Sequence, residues 1–277
     1  MNSMINNPEV GKSIQCGDIV TNYHDVGTGE PILLLHGSGP GVSAWANWRL
    51  TIQALQDQYR LIAPDLAGFG YSQFPENMQF SRESWLKQII DFLDAIGLEK
   101  VNVIGNSFGG SMALALAIHH PERVNKLVLM GSVGVPFELT KGLDAVWGYT
   151  PSFENMQAIM KIFAYNQKLV GDELVQMRYI ASTKEDTRAA YERMFPAPRQ
   201  RWVEAMSHLE ADIRSIQQPT LMVHGRDDQV IPLPTSLTML NWIENSQLHI
   251  YSQCGHWTQI EHAKSFTQLV ANFLKDQ

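Results

Sequence analysis

Short apolar runs alternate with helix-period patterns along most of the chain. Ile19 to Tyr23 alternates apolar and polar positions behind a Gly17-Asp18 turn, which predicts a hairpin near the N-terminus. Ile32 to Leu35 is apolar throughout, and Arg60 to Ala63 is a second short run ending at Pro64. Val101 to Ile104, Leu127 to Met130, Thr220 to Val223 and Leu248 to Tyr251 continue the series. Ser81 can cap a helix in which Trp85, Ile89, Phe92, Leu93 and Ile96 share one face, with Gly97 as the stop. Phe266, Leu269, Val270, Phe273 and Leu274 mark a terminal amphipathic helix. Strands that are apolar on both faces and alternate with helices predict parallel βαβ units in a sheet covered on both sides.

From about Ser132 to Asp212 this rhythm stops. The stretch is helix-like, rich in Met and aromatics, and punctuated by Pro136, Pro151, Pro196 and Pro198. It predicts a helical cap, residues 132–212, inserted into an α/β core formed by 1–131 and 213–277.

The chain has 277 residues and a net charge of −7 with no cluster of Lys or Arg, which excludes the cationic footprint needed to hold a phosphate backbone. Its two cysteines, Cys16 and Cys254, form neither a disulfide framework nor a metal spacing. The start, Met1 to Val10, is polar and lacks a signal-peptide pattern. Apolar runs stay well short of the ~20 residues that span a bilayer. The expectation is an acidic, cytoplasmic protein that binds neither nucleic acid nor membrane.

The strongest chemical signal is Gly105-Asn106-Ser107-Phe108-Gly109. Gly-x-Ser-x-Gly alone is weak, with roughly 0.1 matches expected by chance in such a chain. Its placement is informative, because it joins the strand Val101 to Ile104 to the helix Ser111 to His119. A strained strand-to-helix turn needs glycine on either side and lifts the Ser107 hydroxyl to a helix N-terminus. The competing reading is an ordinary glycine-rich turn. A serine nucleophile needs a base and the base an orienting acid. Among nine histidines, His256 lies in the loop after the last strand, where such sheets build sites. His24 and His249 fall in strands, His119 and His120 at a helix end, His208 in the cap and His262 at the last helix. His36 and His224 precede glycines, where a turn role suffices. Asp227 and Asp228 follow the strand Thr220 to Val223, and the residues alone do not separate them. His36-Gly37-Ser38-Gly39-Pro40-Gly41 can supply a backbone donor to an oxyanion, with the Phe108 N–H as the second. A dinucleotide fingerprint fails there on spacing and on Pro40, and Gly11-Lys12-Ser13 lacks the strand that a P-loop requires.

With these residues in place the whole chain resembles the α/β-hydrolases, and more narrowly the meta-cleavage product hydrolases of aromatic degradation. The resemblance is carried by Ser38-Gly39-Pro40-Gly41 through Trp45-Ala46-Asn47-Trp48-Arg49, by the serine turn, by His224-Gly225-Arg226-Asp227-Asp228 and by Cys254-Gly255-His256-Trp257. It implies an α/β-hydrolase fold with Ser107, Asp228 and His256 as the triad and the backbone of Ser38 and Phe108 as the oxyanion hole. It implies a polar dienoate subsite at Asn47, Asn106, Arg178 and Trp257; Arg178 is one of several cap arginines, with Arg188, Arg193, Arg199 and Arg201. Val133, Leu143, Trp147 and Val230 are the candidates for an apolar distal pocket. The implied reaction is carbon–carbon hydrolysis of a 2-hydroxy-6-oxohexa-2,4-dienoate to 2-hydroxypenta-2,4-dienoate and a carboxylic acid, with 6-H or 6-alkyl substrates favoured over 6-phenyl. No cofactor or metal is expected, and relatives imply a homodimer or larger homo-oligomer. An esterase of the same fold and a ligand receptor built on it are the rival readings.

Overall fold

A computed structural model describes residues 7–275, so residues 1–6 of the polar start lie outside the described residues. The hairpin forms from β1 (Lys12–Cys16) and β2 (Ile19–Val26), with Gly17 at φ +56° in its turn. The strands β3 (Glu30–Leu35), β4 (Tyr59–Pro64), β5 (Val101–Asn106), β6 (Val124–Met130), β7 (Thr220–Gly225) and β8 (Ser246–Tyr251) complete one eight-stranded sheet. Its order is β1-β2-β4-β3-β5-β6-β7-β8, antiparallel at β1, β2 and β4 and parallel from β4 to β8.

Uniformly apolar strands need cover on both faces, and β3 shows how this is met. Leu33 and Leu35 join the core under α2 (Arg82–Ala95) and α3 (Phe108–His119), with Trp85, Phe92 and Phe108. Ile32 and Leu34 point the other way, onto Trp48 and Ile52 of α1 (Ala44–Leu55) and onto Phe266 and Val270 of the C-terminal helix (Ala263–Lys275). All four β3 residues are fully buried; each such side chain contributes roughly 1.5–3 kcal/mol. The α2 start is a reciprocal cap, in which Ser81 and Ser84 each accept from the other's backbone N–H. Gly97, at φ +70°, ends it.

Between β6 and β7 lie α4 (Lys141–Trp147), α5 (Phe153–Phe163), α6 (Asp172–Ser182), α7 (Glu185–Met194), α8 (Gln200–Met206) and α9 (Glu210–Arg214), with no strand among them. The short α9 straddles the expected boundary at residue 212 and packs on α3 and on α10 (Pro234–Trp242), beside the sheet. A further short helix, α11 (Thr258–Glu261), precedes the terminal helix α12 (Ala263–Lys275). Among the described residues no helix is long and apolar enough to cross a membrane.

Candidate active site

The parallel strands aim their carboxyl ends at one edge of the sheet, and the loops leaving β3, β5, β6, β7 and β8 meet there. Ser107 follows β5 at φ +55°, ψ −115°. A non-glycine residue there costs about 1–3 kcal/mol and persists only where its surroundings enforce it. The glycines do so: a Cβ on Gly109 would lie 2.6 Å from the Leu35 carbonyl carbon, and one on Gly105 2.7 Å from the Gly110 Cα. Ser107 N–H donates to the Met130 carbonyl at 2.9 Å, fixing the turn to β6.

His256 lies in the loop after β8, where its backbone N–H donates to Phe163 O at 2.7 Å. Its Nδ1 is 2.7 Å from Asp228 Oδ2. Asp228 Oδ1 accepts from the N–H groups of Val230 at 2.7 Å and Ile231 at 3.0 Å. Burial pushes the Asp228 carboxyl up, but His256 and His224 outweigh it and hold the group well below the usual carboxylate range. An ionised Asp228 requires the His256 proton on Nδ1, which leaves Nε2 free to take one from a hydroxyl. Asp227 is half-buried and lies 3.7 Å from Arg226, so geometry separates the two acids that the residues alone did not.

The cavity contains about 590 Å³ of empty space including its mouth, and both Ser107 and His256 line it. One end is polar, with Asn47, Asn106, Arg178 and Trp257. Asn106 Nδ2 donates to Asn47 Oδ1 at 3.2 Å, while Asn106 Oδ1 is a buried acceptor without a partner. Arg178 donates to Gly41 O at 3.3 Å and forms an ion pair with Glu9. Ser38 also lines the cavity and is held from above: Trp147 Nε1 donates to its hydroxyl at 3.0 Å, and the Tyr191 hydroxyl lies 3.0 Å from its carbonyl oxygen. Phe108 opens α3, so its N–H has no carbonyl one turn back to bond.

Of the four distal candidates, Leu143 and Val230 line the cavity. Val133 and Trp147 are buried outside its lining, because Trp147 stacks on Phe195 at 4.5 Å and spends its N–H on Ser38. The apolar wall is instead supplied largely by Met156, Ile159, Met160 and Phe163 of α5. Their 3-1-3 spacing marked a buried helix face, but nothing local said what it faced. Sequence reasoning also missed Glu9, which sits in a patternless polar segment. It missed His224 too, whose Nε2 lies 3.4 Å from Asp228 Oδ2 and 3.0 Å from Ile231 O, with Nδ1 2.7 Å from Ser236 Oγ.

The alpha/beta hydrolase fold family profile matches residues 30–263. The 2-hydroxymuconate semialdehyde hydrolase of Pseudomonas sp. (strain CF600) is 54% identical over 276 residues, covering 100% of this chain and 98% of that protein. The chain belongs to the meta-cleavage product hydrolase family. Another relative, the 2-hydroxy-6-oxo-2,4-heptadienoate hydrolase of Pseudomonas putida (strain F1), is 54% identical over 268 residues, with 97% of each chain covered. The solved meta-cleavage product hydrolase CumD of Pseudomonas fluorescens IP01, a serine-to-alanine variant complexed with acetates, superposes with a TM-score of 0.96 at 51% identity. That match covers 97% of this chain and 98% of CumD. The meta-cleavage product hydrolase fold thus accounts for nearly the whole chain, the helices between β6 and β7 included.

Proposed function

We propose that the protein hydrolyses the C5–C6 bond of a 2-hydroxy-6-oxohexa-2,4-dienoate carrying hydrogen or a small alkyl group on C6. Ser107, His256 and Asp228 act as the triad, and the N–H groups of Ser38 and Phe108 hold the oxyanion. The observation that carries this reading is the His256–Asp228 pair beside Ser107 in a cavity whose one end is polar and whose other wall is apolar.

The chemistry follows from the leaving group. A carbanion at C5 is too poor to leave unless its electrons can be delocalised, so the proton of the 2-hydroxyl must first be moved to C5, giving the 2-oxo-3-ene form. Arg178 binds the carboxylate, for which a guanidinium fork is suited. The unpartnered Asn106 Oδ1 accepts the dienol hydroxyl of the substrate, and Asn47 and Trp257 complete the subsite. His256 then takes the Ser107 proton as the oxygen adds to C6. When the C5–C6 bond breaks, its electrons run through C4 and C3 to the 2-oxygen, and the proton that His256 took from Ser107 passes to this departing dienolate, leaving His256 neutral. Water, deprotonated by His256, releases the carboxylic acid from the acyl-enzyme. Residues 132–212 serve as a cap over this cavity.

An esterase would use the same triad and oxyanion donors. An unpartnered acceptor on Asn106 and the Arg178 cation in the lining of one cavity favour the hydroxy-dienoate instead, because an ordinary ester brings neither hydroxyl nor carboxylate. A small C6 group is favoured by the bulk of Leu143, Met156, Ile159 and Val230 in the cavity lining. The names of the two 54%-identical relatives specify hydrogen and methyl at that carbon. A homo-oligomer in the cytoplasm is part of the same proposal, and its size is read by light scattering on the eluting protein.

The test is the fading of the yellow dienolate absorbance for 6-H, 6-methyl, 6-isopropyl and 6-phenyl substrates. Turnover above about 1 per second on the first two is expected. Ser107→Ala should convert the substrate to its ketonised form and stop there. Cleavage of simple esters with no dienoate turnover would return the protein to the esterases, and binding without turnover would make it a receptor.

A further inference from the structure

The ion pair between Glu9 and Arg178 is the most unusual feature of the polar end. Glu9 comes from the segment before β1, far from the cap in sequence, yet its backbone is tied firmly to β2. Asn22 Nδ2 donates to Glu9 O at 3.1 Å, Asn22 Oδ1 accepts from Gly11 N–H at 2.9 Å, and His24 Nε2 lies 2.9 Å from Pro8 O. The carboxylate is buried and bridges two elements: Oε2 accepts from Ser43 Oγ at 2.7 Å, and Oε1 accepts from Arg178 Nη2. Ser43 is the N-cap of α1, the helix that carries Asn47.

Arg178 stands on the boundary between two spaces. It lines the reaction cavity and also a wider outer groove with Glu9, Trp45, Arg49 and Met177, the two spaces sharing Val42, Asn47, Met160 and Trp257. Arg49 lies close enough to feel it: burial first, then repulsion from Arg178, lowers the Arg49 guanidinium, with Glu9 opposing. Two guanidiniums against one carboxylate leave a single positive charge at this end, matched to one substrate carboxylate. Glu9 and the Gly41 carbonyl between them take one bond from each terminal nitrogen of Arg178, so the fork is held while its remaining N–H groups stay available.

We infer that Glu9 is a positioning residue that holds the Arg178 guanidinium at the cavity mouth and sets the subsite for a ligand with a single carboxylate. This deepens the function proposed above and rests on it for the identity of the substrate, though not for the carboxylate itself. Without Glu9 the guanidinium loses its strongest anchor and swings toward Arg49 and the outer groove, where a dicarboxylate would be taken more readily.

The test compares wild type with Glu9→Gln, which keeps the shape and the Ser43 bond and removes the charge. Calorimetric titration with 2-oxopentanoate reads the subsite without any turnover. Its Kd, and the KM for the 6-methyl dienoate, should rise about tenfold while kcat stays within about threefold, the pattern for lost binding rather than lost chemistry. Glu9→Asp keeps the charge but is too short to span Ser43 and Arg178 together, and should fall between the two. Glu9→Gln combined with Arg178→Gln should be little worse than Arg178→Gln alone. A tighter or unchanged Kd in Glu9→Gln would overturn the inference, the first by showing that Glu9 competes with the ligand. A drop in kcat with Kd constant would make Glu9 purely structural and overturn it equally. Failure of wild type to cleave any dienoate would sink the proposed reaction, while the 2-oxopentanoate titration would still decide the role of Glu9.

Discussion

Asp228→Asn isolates the electrostatic logic of the proposed triad, because the substitution changes one atom of the acid and almost no volume. In the native site Oδ1 accepts two backbone N–H groups, from Val230 and Ile231, and Oδ2 faces His256 Nδ1 at 2.7 Å. An asparagine must keep its oxygen on the two backbone donors, so its NH2 group faces His256. Donor then meets donor unless His256 moves its proton to Nε2, the nitrogen needed to deprotonate Ser107. His224 Nε2, 3.4 Å from the same Oδ2, is a further donor on that side and pulls towards the reverse amide orientation, but it already faces Ile231 O at 3.0 Å, and the two backbone donors on Oδ1 outweigh it. The enzyme would fold with the wrong tautomer in place. A fall in kcat of about 10⁴ is expected, or ~5.5 kcal/mol of barrier. The rate of acetate release from the 6-methyl dienoate measures it, and nitrogen-15 spectra of the histidines report the tautomer. Asp227→Asn is the matched control, expected to cost less than about threefold because a half-exposed acid contributes little. A correctly folded Asp228→Asn enzyme that kept a tenth of its kcat would refute the assignment.

Four other outcomes are expected. Gly131→Ala places a Cβ at φ +47°, 3.2 Å from Asp228 Oδ2 and 3.3 Å from His256 Nδ1. It should lower kcat well beyond what its modest strain of about 1 kcal/mol takes from the melting temperature, roughly 2–4 °C. Ile159→Ala enlarges the apolar wall and should raise kcat/KM for the 6-phenyl substrate relative to 6-methyl by about tenfold, measured by competition. Burial holds His36 and His208 down at about 4, and lowers His24 in the same sense. In the unfolded chain these groups titrate near 6.5, so the unfolded state gains protons first as pH falls, and stability drops between about 6.5 and 4. Asp65, pushed up to about 7 mainly by burial against the donors of Ala44, Tyr71 and Asn22, acts oppositely, because its folded form keeps a proton that the unfolded form has lost. Asp65→Asn should therefore steepen the rise of stability with pH by about one proton, or ~1.4 kcal/mol per pH unit, read from urea midpoints across that range; an unchanged slope would show Asp65 already ionised in the folded state.

The sequence by itself determined the sheet and put forward the candidate reacting groups. Strand apolarity comes from burial on both faces, and Ile32 to Leu35 carries that requirement within four residues. The serine turn was legible because its backbone tolerates only glycine at Gly105 and Gly109, a demand local enough to survive in the chain. His256 stood out through its place after the last strand, whereas the choice of Asp228 over Asp227 needed the family resemblance. The tertiary structure decided what depends on separate segments converging. The cavity wall is made by α5, whose apolar face is indistinguishable from a core face until the sheet edge lies opposite. Trp147 was expected to line the pocket, but it lies outside because Ser38, more than a hundred residues earlier, takes its N–H. Glu9 meets Arg178 across 169 positions with no periodicity or spacing to announce it. Periodicity and backbone strain are properties of neighbouring residues and are written locally; the pairing of two buried charges is fixed only when the fold brings them together and removes the water between them.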